Sequence, residues 1–409
     1  MKRKRVVVLG ATGSIGDSAL KVARDLPDRM EIVGLAAKGS AAKLAAQANE
    51  FRPEAVCIVE EAKLDELRAS LTYAPEIFVG EAGLREIAAL PNAEMVLIAV
   101  VGIGGLRPAL AAIAAGKDLA VASKEILVMA GEIVMGAAAK KRVRVLPVDS
   151  EHNAIFQCLE SRLHDNIEHR TSNTEHRTGE TESSMFDVSA VRRLILTASG
   201  GPFRETPARD FAAITPAQAL RHPTWSMGPK ITIDSATLFN KGLEMIEARW
   251  LFNVEMKRVE VIVHPQSIVH SMVEFADGSI LAQLSHSDMC FPIQYAVTWP
   301  ERIPNSLAPL DFGMLRQLDF ATPRYDDFPA LNLARRAGEA GGTLPAVLNA
   351  ANEVAVSAFL QNRISFPGIW QLVEKVMNRH ASIADAPLDA ILAADQWART
   401  EAAALARVN

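Results

Sequence analysis

The amino-acid sequence predicts an α/β protein whose first part is a doubly wound parallel sheet. Three observations carry this. Short apolar runs at 6–9, 31–36, 55–59, 77–79, 95–100 and 119–122 alternate with stretches of helical period at 17–25, 41–50, 61–70, 83–90 and 105–115, the pattern of repeated strand–helix units. The first strand runs directly into a glycine-rich turn that opens a helix. From about residue 325 the chain is Ala-rich, with helical period and no strand signals, which reads as a small helical bundle.

The first strand leads into Gly10-Ala11-Thr12-Gly13-Ser14-Ile15-Gly16. Strand, glycine turn and helix together form a Rossmann-like dinucleotide fingerprint: the glycines let the backbone approach a pyrophosphate, and the helix N-terminus supplies free N–H groups and a favourable dipole. NAD enzymes place an acid after the second strand to bind the ribose 2′-hydroxyl. Here that position holds Ala37-Lys38-Gly39-Ser40, a cation and a hydroxyl. This chemistry suits a 2′-phosphate and favours NADP(H); the alternative is that Lys38 is an ordinary solvated lysine. Lys124, in Ser123-Lys124-Glu125, follows the strand at 119–122 and could reach the ligand crevice at the carboxyl edge of the sheet; it could also be a surface lysine opening a helix.

The last strand of the series, at 143–148, ends in Asp149-Ser150-Glu151-His152-Asn153. Extended backbone points residues two apart the same way, so Asp149 and Glu151 are expected to aim both carboxylates at one point. Paired oxygen ligands suit a hard divalent cation such as Mg²⁺ or Mn²⁺. The competing reading is a solvated turn in which Ser150 caps a helix starting near His152.

A helix is expected to about residue 162, followed at 163–187 by a polar stretch with His164, His169 and His176, whose composition predicts a solvated insertion outside the chemistry. A strand at 194–197 ends in Ser199-Gly200-Gly201, a fair anion-binding turn. Trp225 and Met227 sit in an aperiodic segment bounded by Pro223, Gly228 and Pro229, which is either a lid over a ligand or a loop that plugs a core. Farther on, Asn240, Lys241 and Glu244 share one helix face: they could serve a phosphate and a metal together, or form a surface ion pair. Gly242, a poor helix former, implies a close approach to the backbone there. Strands at 258–263, 267–275 and 279–284, the last two joined by an Asp277-Gly278 turn, indicate a second sheet of mixed or antiparallel type.

Taken together, the expected organisation is a doubly wound NADPH domain at 1–149, a central α+β catalytic and dimerisation domain at 150–298, a linker at 299–324 and a helical domain at 325–409. At 409 residues with a net charge of −5, the chain has no general attraction to nucleic acid. The apolar run behind the basic start, Met1 to Arg5, is too short for a signal peptide, and no segment is apolar enough to span a membrane. Cys57, Cys158 and Cys290 are scattered, which argues against a disulfide framework or structural zinc and fits a reducing, cytoplasmic setting.

These motifs resemble one family: the glycine turn at 10–16, Pro-Val-Asp-Ser-Glu-His-Asn-Ala-Ile-Phe at 147–156, Ser-Gly-Gly-Pro-Phe-Arg at 199–204, His-Pro-Thr-Trp-Ser-Met-Gly at 222–228, Asp-Ser-Ala-Thr at 234–237, Asn-Lys-Gly-Leu-Glu at 240–244, His-Pro-Gln-Ser at 264–267 and Leu-Asn-Ala-Ala-Asn-Glu at 348–353. In order and over nearly the whole chain, they resemble the 1-deoxy-D-xylulose 5-phosphate reductoisomerases. The resemblance implies a homodimeric enzyme using NADPH and Mg²⁺ or Mn²⁺ to isomerise and reduce a phosphorylated sugar in isoprenoid precursor biosynthesis. It implies Asp149, Glu151 and Glu244 as metal ligands and, with Lys124, catalytic groups. Ser150, Glu151, Ser199, His222, Trp225, Ser235, Asn240, Lys241 and Glu244 would bind substrate, with Trp225 and Met227 in a lid. Gly10, Thr12, Gly13, Ser14, Ile15, Ala37, Lys38, Gly39, Ser40, Ser123, Glu125, Met227 and Gly228 would bind NADPH. Two departures stand out: many members have Asn where this chain has Ser123, and the polar insertion is longer than the family leads one to expect. A plain NADPH dehydrogenase would not need three converging acids, and a non-catalytic NADPH-binding protein would bind without turnover.

Overall fold

The computed structural model describes residues 3–160, 185–222, 225 and 227–407. The expected polar insertion, with its three histidines, lies outside this range except for residues 185–187. There the core resumes earlier than expected: Phe186 is buried against Phe156 and Phe252.

The first part of the chain alternates without interruption: β1 (Lys4–Leu9), α1 (Ser14–Asp25), β2 (Met30–Ala37), α2 (Ala41–Phe51), β3 (Ala55–Ile58), α3 (Leu64–Ser70), β4 (Glu76–Val79), α4 (Gly80–Ala88), β5 (Met95–Ile98), α5 (Leu106–Ala114), β6 (Asp118–Val121), α6 (Glu125–Lys141) and β7 (Val145–Pro147). The seven strands form one parallel sheet in the order β4-β3-β2-β1-β5-β6-β7. Residues 6–9 and 95–98 have no exposure at all, as expected of strands covered by helices on both faces. The winding reverses between β1 and β5, and the crevice at their carboxyl ends is where such sheets bind ligands. The glycine turn, the Lys38 turn, Lys124 and Asp149 all follow strands at this edge.

Next come α7 (Ser150–Cys158), β8 (Val191–Ala198), α8 (Pro216–Ala219), α9 (Pro229–Thr237), α10 (Phe239–Phe252), β9 (Val259–Val263), β10 (Val269–Phe275), β11 (Ile280–Leu284) and α11 (Cys290–Thr298). The second sheet has the order β11-β10-β8-β9. In it β10 runs antiparallel to β8 and β11, and β9 runs parallel to β8. After α12 (Phe312–Leu315), four helices close the chain: α13 (Ala330–Ala340), α14 (Leu344–Leu360), α15 (Gly368–Arg379) and α16 (Leu388–Leu405).

Gly242 has its explanation in this last group. A Cβ there would lie 2.7 Å from the Ala334 Cβ of α13. What approaches the backbone is a neighbouring helix. The three cysteines are buried and unpaired, and burial pushes each thiol up to about 12. Among the described residues no helix is long and apolar enough to cross a membrane.

Candidate active site

The acid pair after β7 is arranged differently from the expected pleat. Extended backbone stops at Pro147, and Asp149 is the N-cap residue of α7 while Glu151 lies in its first turn. Ser150 does not cap the helix; its hydroxyl donates to the Glu151 carboxylate at 2.7 Å. The helix start is fixed to the strand end by Asn153, whose side-chain amide donates to the Pro147 carbonyl at 2.9 Å. Both acids nevertheless face Glu244 of α10, and oxygens of the three carboxylates lie within 4.8 Å of one another.

Two lysines enter this cluster. Lys124 Nζ lies 2.7 Å from Asp149 Oδ2, 2.9 Å from Glu244 Oε1 and 2.8 Å from Asn240 Oδ1. Lys241 Nζ lies 2.8 Å from Glu151 Oε1 and also donates to Glu244. Neither is a surface group: the Lys124, Lys241 and Glu244 side chains are 8%, 4% and 1% exposed. Burial alone would lower both ammonium groups; the carboxylates around them raise both above their ordinary value. Burial likewise works upward on Asp149, but the Lys124 ammonium wins and holds that carboxyl below the usual range. Burial and then the Glu244 charge push Glu151 up to about 7. Three carboxylates, one buried and two half-buried, face two ammonium groups at one point, and their oxygens are the donor type of a hard divalent cation.

A second group of polar residues adjoins the first. Gly200 and Gly201, at φ +82° and +69°, turn the chain after β8 in a conformation that favours glycine. A Cβ on Gly201 would meet the Ser235 carbonyl at 2.9 Å, so the turn packs on α9. His222 Nε2 sits 3.2 Å from Ser199 Oγ and 3.0 Å from Ser235 Oγ, and burial lowers its pKa. The backbone N–H of Trp225 donates to His222 Nδ1 at 2.9 Å. Leu238, at φ +64°, separates α9 from α10, turning Ser235 and the Asn240–Lys241 pair toward one cavity from two helix axes. That cavity, about 430 Å³, is lined by the carboxylates, both lysines, Ser199, Ser235, Trp225 and Met227, and also by Ser14 and Ile15 of α1. Acid cluster, serine–histidine group and nucleotide turn thus share one space. Pro223, Thr224 and Ser226 lie outside the described residues.

Three family models match in succession: "1-deoxy-D-xylulose 5-phosphate reductoisomerase" over residues 6–131, its C-terminal domain over 145–252, and "DXP reductoisomerase C-terminal domain" over 284–401. A relative of this name from Chlorobium limicola is 49% identical over 400 residues, covering 98% of both chains.

The chain belongs to the 1-deoxy-D-xylulose 5-phosphate reductoisomerase family.

The fold agrees with this membership. A reductoisomerase from Zymomonas mobilis, solved with NADPH, superposes with a TM-score of 0.88 at 41% identity, covering 100% of each chain. A further reductoisomerase structure, with NADPH, fosmidomycin and magnesium, gives 0.86 at 39% identity over 99% of this chain and 98% of that one.

The glycine turn after β1 packs closely on the segment that follows β5. Gly10 has φ +87°, and a Cβ there would lie 2.4 Å from the Ala99 carbonyl oxygen. The turn is held from behind by Gln47 of α2, which donates to the Ala11 carbonyl at 3.0 Å. Lys38 and Ser40 are exposed beyond β2. The Glu60 carboxylate fills the space a Cβ on Gly39 would need, 2.1 Å from that position. Of the other residues expected at the cofactor, Gly228 lines the cavity. Ser123 is buried and donates to the Val100 carbonyl at 2.6 Å, and Glu125 turns its carboxylate toward Lys230, 3.6 Å away.

Sequence reasoning assigned no role to several polar neighbours. His270 of β10 lines the cavity and is 5% exposed; burial lowers it to about 4. Ser267, Ser287 and Asp288 line the same wall. Behind the acids, His152 Nδ1 lies 3.4 Å from Glu247, both fully buried. Ser267, at the end of the His-Pro-Gln-Ser run, and His152, inside the 147–156 motif, stood in stretches with a sequence signal; His270 is a lone histidine in a strand.

Proposed function

We propose that this chain is the NADPH- and divalent-metal-dependent enzyme that isomerises and reduces 1-deoxy-D-xylulose 5-phosphate to 2-C-methyl-D-erythritol 4-phosphate, for isoprenoid precursors. The carrying observation is the convergence of Asp149, Glu151 and Glu244 in the cavity that the nucleotide turn also lines. The three carboxylates, with oxygens within 4.8 Å of one another, form the hard-oxygen donor set that a divalent cation takes, and Ser14 and Ile15 bring the start of α1 into the same cavity. When bound, the metal supplies Lewis acidity to the ketone and hydroxyl oxygens, and the cofactor supplies hydride.

The chain's own residues do the rest. Asp149, Glu151 and Glu244 hold the metal, and Ser150 reaches the substrate between the first two. Ser199, Ser235, Asn240 and Lys241 bind the substrate phosphate, with His222 bridging the two serines. That remote anchor supplies orientation and binding energy away from the reacting carbons. Lys124 keeps an ammonium beside the reacting oxygens, where it stabilises negative charge. Trp225 and Met227 cover the cavity and exclude water from the reactive aldehyde.

Turnover of 1-deoxy-D-xylulose 5-phosphate with NADPH and Mg²⁺ tests the reading. A plain dehydrogenase gives no rearranged product, and a binding protein gives none at all. Because Lys38 and Ser40 stand exposed where an acid would read a 2′-hydroxyl, kcat/KM for NADPH is expected to exceed that for NADH by at least about tenfold, from a charge-assisted hydrogen bond of roughly 1.5–3 kcal/mol. Equal values would remove the Lys38 turn from cofactor choice.

We also propose a homodimer. β11 is an edge strand with Ile280 49% and Leu281 47% exposed, an apolar edge of the kind proteins cover by pairing. A monomeric sedimentation coefficient at micromolar concentration would count against it.

A further inference from the structure

The Leu-Asn-Ala-Ala-Asn-Glu run at 348–353 lies outside the cavity lining, yet its two asparagines are buried. Asn349 and Asn352 of α14 have no exposure. The Asn352 amide donates to Asp234 Oδ1 at 2.8 Å. Lys230, one turn earlier on α9, holds the other oxygen of Asp234 at 2.7 Å and faces Glu125 at 3.6 Å. Glu353 accepts from Asn349 at 3.0 Å and from Arg399 of α16 at 2.7 Å, and Arg399 also grips Asp395 at 2.7 Å.

These contacts have a direction. Asp234 is 1% exposed and immediately precedes Ser235, whose hydroxyl meets His222. Glu125 immediately follows Lys124. Helix α14 therefore reaches one wall of the cavity through Asp234, and Lys230 of α9 links that carboxylate to Glu125 beside Lys124. A buried carboxylate needs a partner for each oxygen. Asp234 has one partner on its own helix and one on α14, so its geometry is fixed only when α14 is docked.

We propose that Asn352 is a positioning residue for the substrate phosphate: with Lys230 it clasps Asp234, sets the rotation of α9, and so places the Ser235 hydroxyl. Asn352 is fully buried and does not line the cavity. The inference rests on the reading of Ser235 as a phosphate ligand.

Asn352→Ala and, separately, Ser235→Ala test it, with inorganic phosphate as a competing probe. Asn352→Ala is expected to raise KM for 1-deoxy-D-xylulose 5-phosphate and the inhibition constant of inorganic phosphate together, each by about five- to tenfold. KM for NADPH should stay unchanged and kcat within about twofold. A helix with a merely structural role does not move these constants selectively. If Ser235→Ala raises KM while a folded Asn352→Ala leaves KM and the phosphate constant unchanged, the clasp is wrong. It is also wrong if both substrates and kcat are affected alike. If Ser235→Ala itself leaves KM unchanged, the phosphate reading fails first and the clasp with it. Should Asn352→Ala unfold below the assay temperature, Lys230→Gln removes the other half of the clasp at a side chain that is 24% exposed, and it is read on the sugar-phosphate KM and the phosphate constant alone, since Lys230 also faces Glu125.

Discussion

Asp149→Ala is expected to lower kcat/KM with Mg²⁺ and NADPH about a thousandfold or more, with the fold intact. A metal acting as Lewis acid contributes several kcal/mol of charge stabilisation, and about 1.4 kcal/mol corresponds to a factor of ten. The structural cost is small for two reasons. Asp149 is the N-cap of α7 but makes no side-chain capping bond, so the helix does not depend on it. Lys124 keeps Glu244 and Asn240 as partners at 2.9 and 2.8 Å, so no ammonium is stranded. The removal also relieves Glu151, which the Asp149 charge helps to push up to about 7 after burial and Glu244. The glycine turn is untouched, and NADPH should bind as before. A Mg²⁺ titration of turnover, with NADPH binding followed by fluorescence, decides the matter. Full Mg²⁺-dependent activity in the variant would sink the assignment of Asp149 as a ligand.

Lys124→Ala is expected to act on stability as strongly as on rate. Its ammonium is the nearest counter-charge of Asp149 and shares Glu244 with Lys241. Removing one partner of a buried ion pair costs about 3–5 kcal/mol, because the other charge stays buried and unbalanced. In chelator the variant's Tm should therefore fall by roughly 3–6 °C. Saturating Mg²⁺ should return part of that loss, since binding to the folded state alone stabilises by mass action. The Mg²⁺-induced rise in Tm should be larger than in the unaltered protein, where lysine already balances the acids. Calorimetry with and without chelator reads both. Equal stability of the two proteins in chelator would show that the Lys124 charge does not balance the acids.

The strand–helix alternation was legible because each strand of the first sheet is a short apolar run with turn residues around it. The strand order was not, because periodicity carries no information about which strands become neighbours. Asp149 and Glu151 were found for an incomplete reason: they converge from the start of a helix, and the pleat argument would not have brought in Glu244 from α10. The Asn240–Glu244 face was legible from helical spacing, but its burial was not, since burial comes from α6 and α7 packing across it. Gly242 announced a close approach without saying that Ala334 makes it. Glu247 and His270 had no local signal, because each draws its surroundings from distant segments, and His152 stood inside the 147–156 motif without a role of its own.

The site joins parts of the chain that are made at very different times. Asn240 and Glu244 meet Lys124 across 116 and 120 positions, and Asn352 meets Asp234 across 118. Domains emerging from a ribosome begin to fold from their N-terminal end. The parallel sheet has all its strands once Pro147 is out, and Asp149, which follows directly, has Lys124 for company. Lys241 and Glu244 then arrive on one turn of one helix, already bonded to each other. Asp149 and Glu244 thus each enter with a base beside them, Glu151 gains its base with the helix that carries Lys241, and the growing chain is not required to bury a run of like charges while it waits for its last helices.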